Sequence, residues 1–336
     1  MHTNQIQFWT LTPLRKMVNR LITAFITSLL ITNTTVFAQS YPDRPITLVC
    51  PFAPGGSADI IARLIAQRLS EELKVPVLVE NRAGAGSAIG SNYVSKAKPD
   101  GYTILLLSGA YSAQAALTKT PLFDPLKDIT MVSLITTYPF LMAVHPNAPY
   151  QNLQELIAYA KAKPGQLNYS SSGIGAIHHL SSELLNVMAG IETVHIPTKG
   201  GNVAILELMG ERIDFLLEAP QLMMPYIKSN KLRGIATTAK TRSKIYNDLP
   251  TIAEALPGYE VSSYIGIAVT GGTPEPITQA LYQGVKKSIE NKDVAKRLVD
   301  LGGEPTHTSP AETKLFVENE LDKWRKVINL RKIERQ

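Results

Sequence analysis

The stretch Pro51-Phe52-Ala53-Pro54-Gly55-Gly56-Ser57-Ala58-Asp59, PFAPGGSAD, separates an apolar run, ITLVC (residues 46–50), from a run of helical period, IIARLIAQRL (residues 60–69). The opening turn of a helix has N–H groups with no partner inside it and carries the positive end of the helix dipole. An anion is held there without any basic side chain. The same residues also suit a tight turn followed by a Ser57 cap, and the stretch alone leaves both readings open.

The residues that follow decide what kind of fold surrounds the loop. Ile61, Leu64, Ile65, Leu69 and Leu73 fall on one helical face, while Arg63, Gln67 and Glu71 face away. A second unit follows, VPVLVE (75–80), the loop NRAGAGSAIG (81–90) and a short helix, before Asp100-Gly101 turns the chain into YTILLLS (102–108). Apolar run, Gly-rich loop and amphipathic stretch alternate again from Pro146 onward. This alternation predicts βαβ units and an α/β fold. Two long extended runs, residues 129–144 and 259–270, join the two sets. They predict two lobes with a two-strand hinge and a central cleft, the first lobe formed by residues 39–144 and 259–336 and the second by residues 145–258.

The chain's 336 residues begin with a leader in which Arg15, Lys16 and Arg20 precede the uncharged run LITAFITSLLI. This pattern is a secretory signal peptide over residues 1–38, with Val36 and Ala38 as the small residues before a cut after Ala38; Met17 is an alternative start. The leader holds 3 of the 34 basic residues and no acidic ones, so 31 basic face 28 acidic residues in the mature chain, a net charge of +3. That balance excludes a nucleic-acid binder and suits a weak preference for anions. The single cysteine, Cys50, lies in the first strand-like run and reads as a small buried hydrophobe.

Four Gly-rich loops stand after a strand and before a helix: PGGSAD (54–59), NRAGAGS (81–87), SGIGA (172–176) and TKGG (198–201). Ligands of open α/β sheets bind at the carboxyl ends of the strands, so these loops point to an anion held mainly by backbone N–H groups. Gly84, Gly86 and Gly90 are spaced GxGxxxG, one residue off the dinucleotide fingerprint, and Gly55-Gly56 lacks the Lys-Ser/Thr end of a phosphate loop. Ser57 is not in GxSxG, since Asp59 replaces the last glycine. His178 and His179 are adjacent, and His179 shares a helical face with Glu183, but His145, His195 and His307 add no ligand spacing. Packed or capping imidazoles are expected, with no metal site and no cofactor. Lys199 could reach a carboxylate or be solvated, and Glu218 could accept from a ligand hydroxyl or amine or be solvated.

Taken in order, YPDRPITLVCPFAPGGSAD (41–59), VENRAGAGSAIG (79–90), KPDGYTILL (98–106), DPLKDIT (124–130), KPGQLNYSSSGIGAIHHL (163–180), VHIPTKGG (194–201) and LPTIAEAL (249–256) resemble the Bug family, the extracytoplasmic substrate-binding proteins of tripartite tricarboxylate transporters. The resemblance runs from residue 41 to about residue 328. It implies a two-lobed (type II) periplasmic-binding-protein fold that closes on a small organic carboxylate, gripped by residues 54–59 and 171–176 from opposite lobes. It implies further a periplasmic, monomeric receptor with large and small membrane subunits as partners.

The chain departs from the family pattern where Ile174 and Ala176 interrupt the usual Gly-Asn-Gly-Thr. It departs again where Ala58 replaces a threonine, Thr198 a tyrosine, and Glu218-Ala219 an Asp-Asn pair. These changes point to a ligand less polar than a citrate-like acid, such as an aromatic or aliphatic monocarboxylate.

The ligand-binding candidates in the first lobe are Phe52, Pro54, Gly55, Gly56, Ser57, Ala58, Asp59 and Ala85. Those in the second are Ser172, Gly173, Ile174, Gly175, Ala176, Thr198, Lys199, Gly200 and Glu218. No catalytic residue is expected. Two other readings share these residues: a secreted hydrolase using Ser57 or Ser172 with a histidine, and a receptor that presents its ligand to a sensor kinase.

Overall fold

The computed structural model describes residues 41–198 and 200–335; the leader with its cut site, and Lys199, lie outside the described residues. In the first sheet, β1 (Ile46–Cys50) lies parallel between β2 (Val77–Asn81) and β3 (Thr103–Ser108). Next come β10 (Ser262–Thr270), antiparallel to β3, then β4 (Ile129–Pro139) and the two-residue edge strand β11 (Glu304–Pro305). The second sheet has the order β7 (Val194–Pro197), β6 (Asn168–Ser171), β8 (Phe215–Glu218), β5 (Leu141–Val144), β9 (Arg233–Thr237). There β6 is parallel to β7 and β8, and β5 runs antiparallel to β8 and β9.

The central strands are buried on both faces, which is why they read as unbroken apolar runs. Leu48, Val49 and Cys50, and the whole of Ile104–Leu107, are inaccessible to solvent. Burial pushes the Cys50 thiol up to about 11, so it is an inert core residue. Helix α1 (Ser57–Leu73) covers the first sheet with Ile61, Leu64, Ile65 and Leu69, and Arg63, Gln67 and Glu71 are exposed, as the periodicity predicts.

The chain passes between the sheets at Phe140. Leu141–Val144, assigned to the first lobe by the sequence pattern, pairs instead in the second sheet with β8 and β9. The run is buried throughout, so no break in hydropathy marks the point where it changes sheets. Three segments meet there. Thr238 Oγ1 accepts from Phe140 N at 2.8 Å and donates to Val261 O at 2.6 Å, while Thr238 N donates to Phe140 O and Val261 N to Thr238 O, both at 3.0 Å.

Thr238 is fully buried, so replacing it with valine leaves a backbone donor and a backbone acceptor without the hydroxyl that joins them. Thr238→Val is expected to cost about 1–3 kcal/mol in denaturant unfolding. Unchanged stability would show that the hydroxyl does not hold the crossing together.

Candidate functional site

Five helices begin around one cavity of about 500 Å³ at the carboxyl ends of the strands. They are α1, α3 (Gly109–Leu117), α5 (Ile177–Ala189), α6 (Gly201–Met209) and α7 (Pro220–Lys228), the last three from the second sheet's side. Their N-caps are Gly56, Ser108, Ala176, Gly200 and Ala219, and none makes a side-chain capping bond. Helices α4 (Leu153–Ala162), α8 (Ile252–Ala255), α10 (Lys292–Asp300) and α11 (Pro310–Leu330) begin elsewhere and are capped by Asn152, Thr251, Asn291 and Ser309. The helices Ala88–Ser95 and Glu275–Glu290 also lack a side-chain cap and begin away from this cavity, but only here do the first turns of five uncapped helices, with their orphan N–H groups and dipoles, come together. Ser108, 5 % exposed, adds a hydroxyl at the cavity wall with no hydrogen-bond partner among the described residues.

Of the sequence candidates, Phe52, Pro54, Gly55, Gly56, Ser57, Ala58, Ser172, Gly200 and Glu218 line this cavity. Ala85, Gly173, Ile174, Gly175 and Ala176 do not; they line an adjoining space of about 870 Å³ that shares Phe52, Ala53, Ala110 and Ser172 with the first. Thr198 lines neither, since its hydroxyl is turned to Ser171 O (2.9 Å) and Gly200 O (3.1 Å).

Asp59 also points away from the cavity. Its Oδ2 accepts from Gly55 N (2.9 Å) and Arg63 Nε (3.0 Å), and its Oδ1 from Arg63 Nη2 (3.0 Å) and Asn81 Nδ2 (2.8 Å). Asn81 Nδ2 also donates to Phe52 O at 3.0 Å. Asp59 therefore fixes the loop that carries the α1 N-terminus. Burial pushes its carboxyl up, but the bonds from Arg63, Gly55 and Asn81 outweigh that and hold it below its ordinary value of 3.8.

His178, expected from the sequence as a packed or capping imidazole, instead faces a carboxylate and a serine. Its Nε2 lies 3.1 Å from Glu218 Oε1, which also accepts from Ala219 N at 2.7 Å. Its Nδ1 lies 3.4 Å from Ser172 Oγ, and its ring sits 4.6 Å from that of Phe140. With the proton on Nε2, the imidazole donates to Glu218 and Nδ1 faces the serine. His179 and His195 behave as packed imidazoles. Their rings stack at 4.0 Å, His179 Nδ1 accepts from Gly175 N (3.0 Å), and His195 Nε2 bonds Ser171 Oγ (2.7 Å). Burial lowers both, His195 to about 3, so they support the 171–175 turn as neutral groups. Among the described residues no group of three or more His, Cys, Asp or Glu side chains is placed to hold a metal ion.

Residues 61–333 match the sequence model of the tripartite tricarboxylate transporter family receptor. The chain is similar to the protein BugT of Bordetella pertussis, 32% identical over 296 residues, covering 87% of this chain and 91% of BugT. It is similar to a solved Rhodopseudomonas palustris protein with adipate, at a TM-score of 0.81 and 34% identity, covering 87% of this chain and 99% of that one. It is also similar to MatC of the same organism with bound malate, at a TM-score of 0.77 and 31% identity, covering 86% and 100%. The α/β two-lobed periplasmic-binding-protein fold expected from the sequence is the fold observed.

The Asp59 network carries an expectation of its own. Because its folded-state value is depressed, its contribution is present above pH 3.8 and lost as pH falls through the lower folded value. Asp59→Asn should therefore lose about 1–3 kcal/mol at neutral pH and show a smaller loss on acidification than the wild type. Equal stability of the two proteins at pH 7 in urea unfolding would contradict the role assigned to this side chain.

Proposed function

The chain belongs to the tripartite tricarboxylate transporter receptor family, and we propose that it is a periplasmic receptor that closes two lobes on a small organic carboxylate and delivers it to a membrane transporter. One observation carries the reading: five helices open on the cavity, none of them has a side-chain cap, and no lysine or arginine stands among the described residues that line it. Backbone N–H groups and dipoles so arranged hold a carboxylate without a lysine or arginine. The relatives bound to adipate and to malate support that ligand class for this chain. In this reading residues 1–38 are the exported leader cut after Ala38, the mature chain acts as a monomer, and large and small membrane subunits receive the ligand. The lobes move about the crossing at Phe140, Thr238 and Val261. The protein performs no chemistry on what it binds.

Hydrolysis is the second reading, and the line Ser172, His178, Glu218 favours it, because a serine, an imidazole and a carboxylate stand in hydrogen-bonding sequence. Against it, the serine contact of 3.4 Å is long and Ser172 is exposed.

Thermal unfolding of residues 39–336, freed of co-purified ligand, separates these readings when run against citrate-like, dicarboxylic, aromatic and amino acids. A ligand at about a hundred times its dissociation constant should stabilise the fold by about 2.7 kcal/mol, raising Tm by about 2–4 °C, and be recovered unchanged. Turnover that disappears in Ser172→Ala would establish the hydrolase instead. No stabilisation by any carboxylate would refute the receptor reading.

A further inference from the structure

The two ends of the cavity differ in charge. On the first sheet's side stand the α1 and α3 N-termini and the unpartnered hydroxyl of Ser108, all donors. The second side also has donors, the N-termini of α5, α6 and α7, but among them stands a carboxylate, Glu218, 3 % exposed and part of the cavity wall. Its Oε1 is engaged by Ala219 N and His178 Nε2, whereas Oε2 has no hydrogen-bond partner among the described residues. That oxygen occupies the space a side chain at position 201 would need: a Cβ on Gly201 would stand 2.2 Å from Oε2 and 3.2 Å from Leu222 Cδ1. Glu218 thus brings a negative group of the protein's own to the first turn of α6, where a second ligand carboxylate would otherwise be received.

Resting on the receptor reading above, we propose that Glu218, held by His178, is the specificity-determining residue of this cleft. It selects a carboxylate that carries a hydrogen-bond donor, an ammonium or a hydroxyl, at its far end, and it rejects dicarboxylates. A donor at that end meets the open Oε2; a second carboxylate meets a fixed like charge in a partly enclosed site, which costs far more than in water. Between the two ends Tyr138, Phe140, Ile177, Val203, Leu222 and Ile265 line the wall, so the body of the ligand is apolar.

Matched probes test this by calorimetry on residues 39–336. One set is hexanoate, 6-aminohexanoate, 6-hydroxyhexanoate and adipate; a second is the four-carbon equivalents; a third is benzoate, 4-(aminomethyl)benzoate, 4-(hydroxymethyl)benzoate and terephthalate. In whichever set binds, the amino or hydroxy member should bind at least tenfold more tightly than both the plain acid and the diacid, and the order of those two members tells ammonium from hydroxyl. Glu218→Gln keeps an oxygen for Ala219 N and His178 and turns Oε2 into an amide donor, so it should reverse the order and make the diacid the tighter ligand. A diacid or plain acid that binds wild type as tightly as its donor-bearing partner overturns the proposal, as does an order unchanged in Glu218→Gln. Should that variant not fold, the wild-type order alone decides. If no member of any set binds while other carboxylates stabilise the protein, the proposal fails and the receptor reading stands; if no carboxylate does, the receptor reading itself fails.

Discussion

The structure depends on where backbone N–H groups are left unpaired. Every helix begins with donors that its own ladder cannot satisfy, and side-chain caps are the usual remedy. In this chain the remedy is applied at α4, α8, α10 and α11 and is missing at all five helices that open on the cavity, as it is at the helices Ala88–Ser95 and Glu275–Glu290, which begin elsewhere. A buried helix end without a partner costs free energy, and in the proposed receptor an anionic ligand would meet that demand. On that proposal the donors are fixed by the fold and the ligand supplies the charge.

Donors fixed by backbone are useful only if the loops that carry them are rigid and the lobes that carry the loops stay in register. Asp59 provides the first condition by binding Gly55, Arg63 and Asn81 at once, and the neutral pair His179 and His195 does the same for the 171–175 turn. Thr238 provides the second by joining the outgoing strand at Phe140 to the returning one at Val261. Hydrogen bonds at such a crossing permit rotation of one sheet relative to the other while preserving the connection.

Local features of this design are legible in the sequence, and non-local ones are not. The α1 stripe, the burial of Cys50 and the Gly-rich strand-to-helix loops follow from periodicity and turn chemistry within a few residues. The change of sheet at Phe140 does not, because residues 129–144 are apolar on both sides of it. Nor does the antiparallel placement of β10 and β5 between strands of other origin, since pairing leaves no mark in a buried run. Asp59 reads as a cleft residue from its place in the first helical turn; only Asn81, on a different strand, turns it away, although Arg63 four residues on was the available hint. His178 and Glu218 lie forty residues apart and meet only when β8 is laid beside β6.

Amide chemical shifts of the 15N-labelled mature protein, recorded with and without a saturating amount of the carboxylate that most raises its Tm, test the central claim most directly. The account predicts that the largest downfield amide shifts fall in the first turns of α1 and α3, residues 56–59 and 109–111, with the lysine and arginine side-chain resonances little changed. Shifts confined to charged side chains, with those amides unmoved, would contradict it.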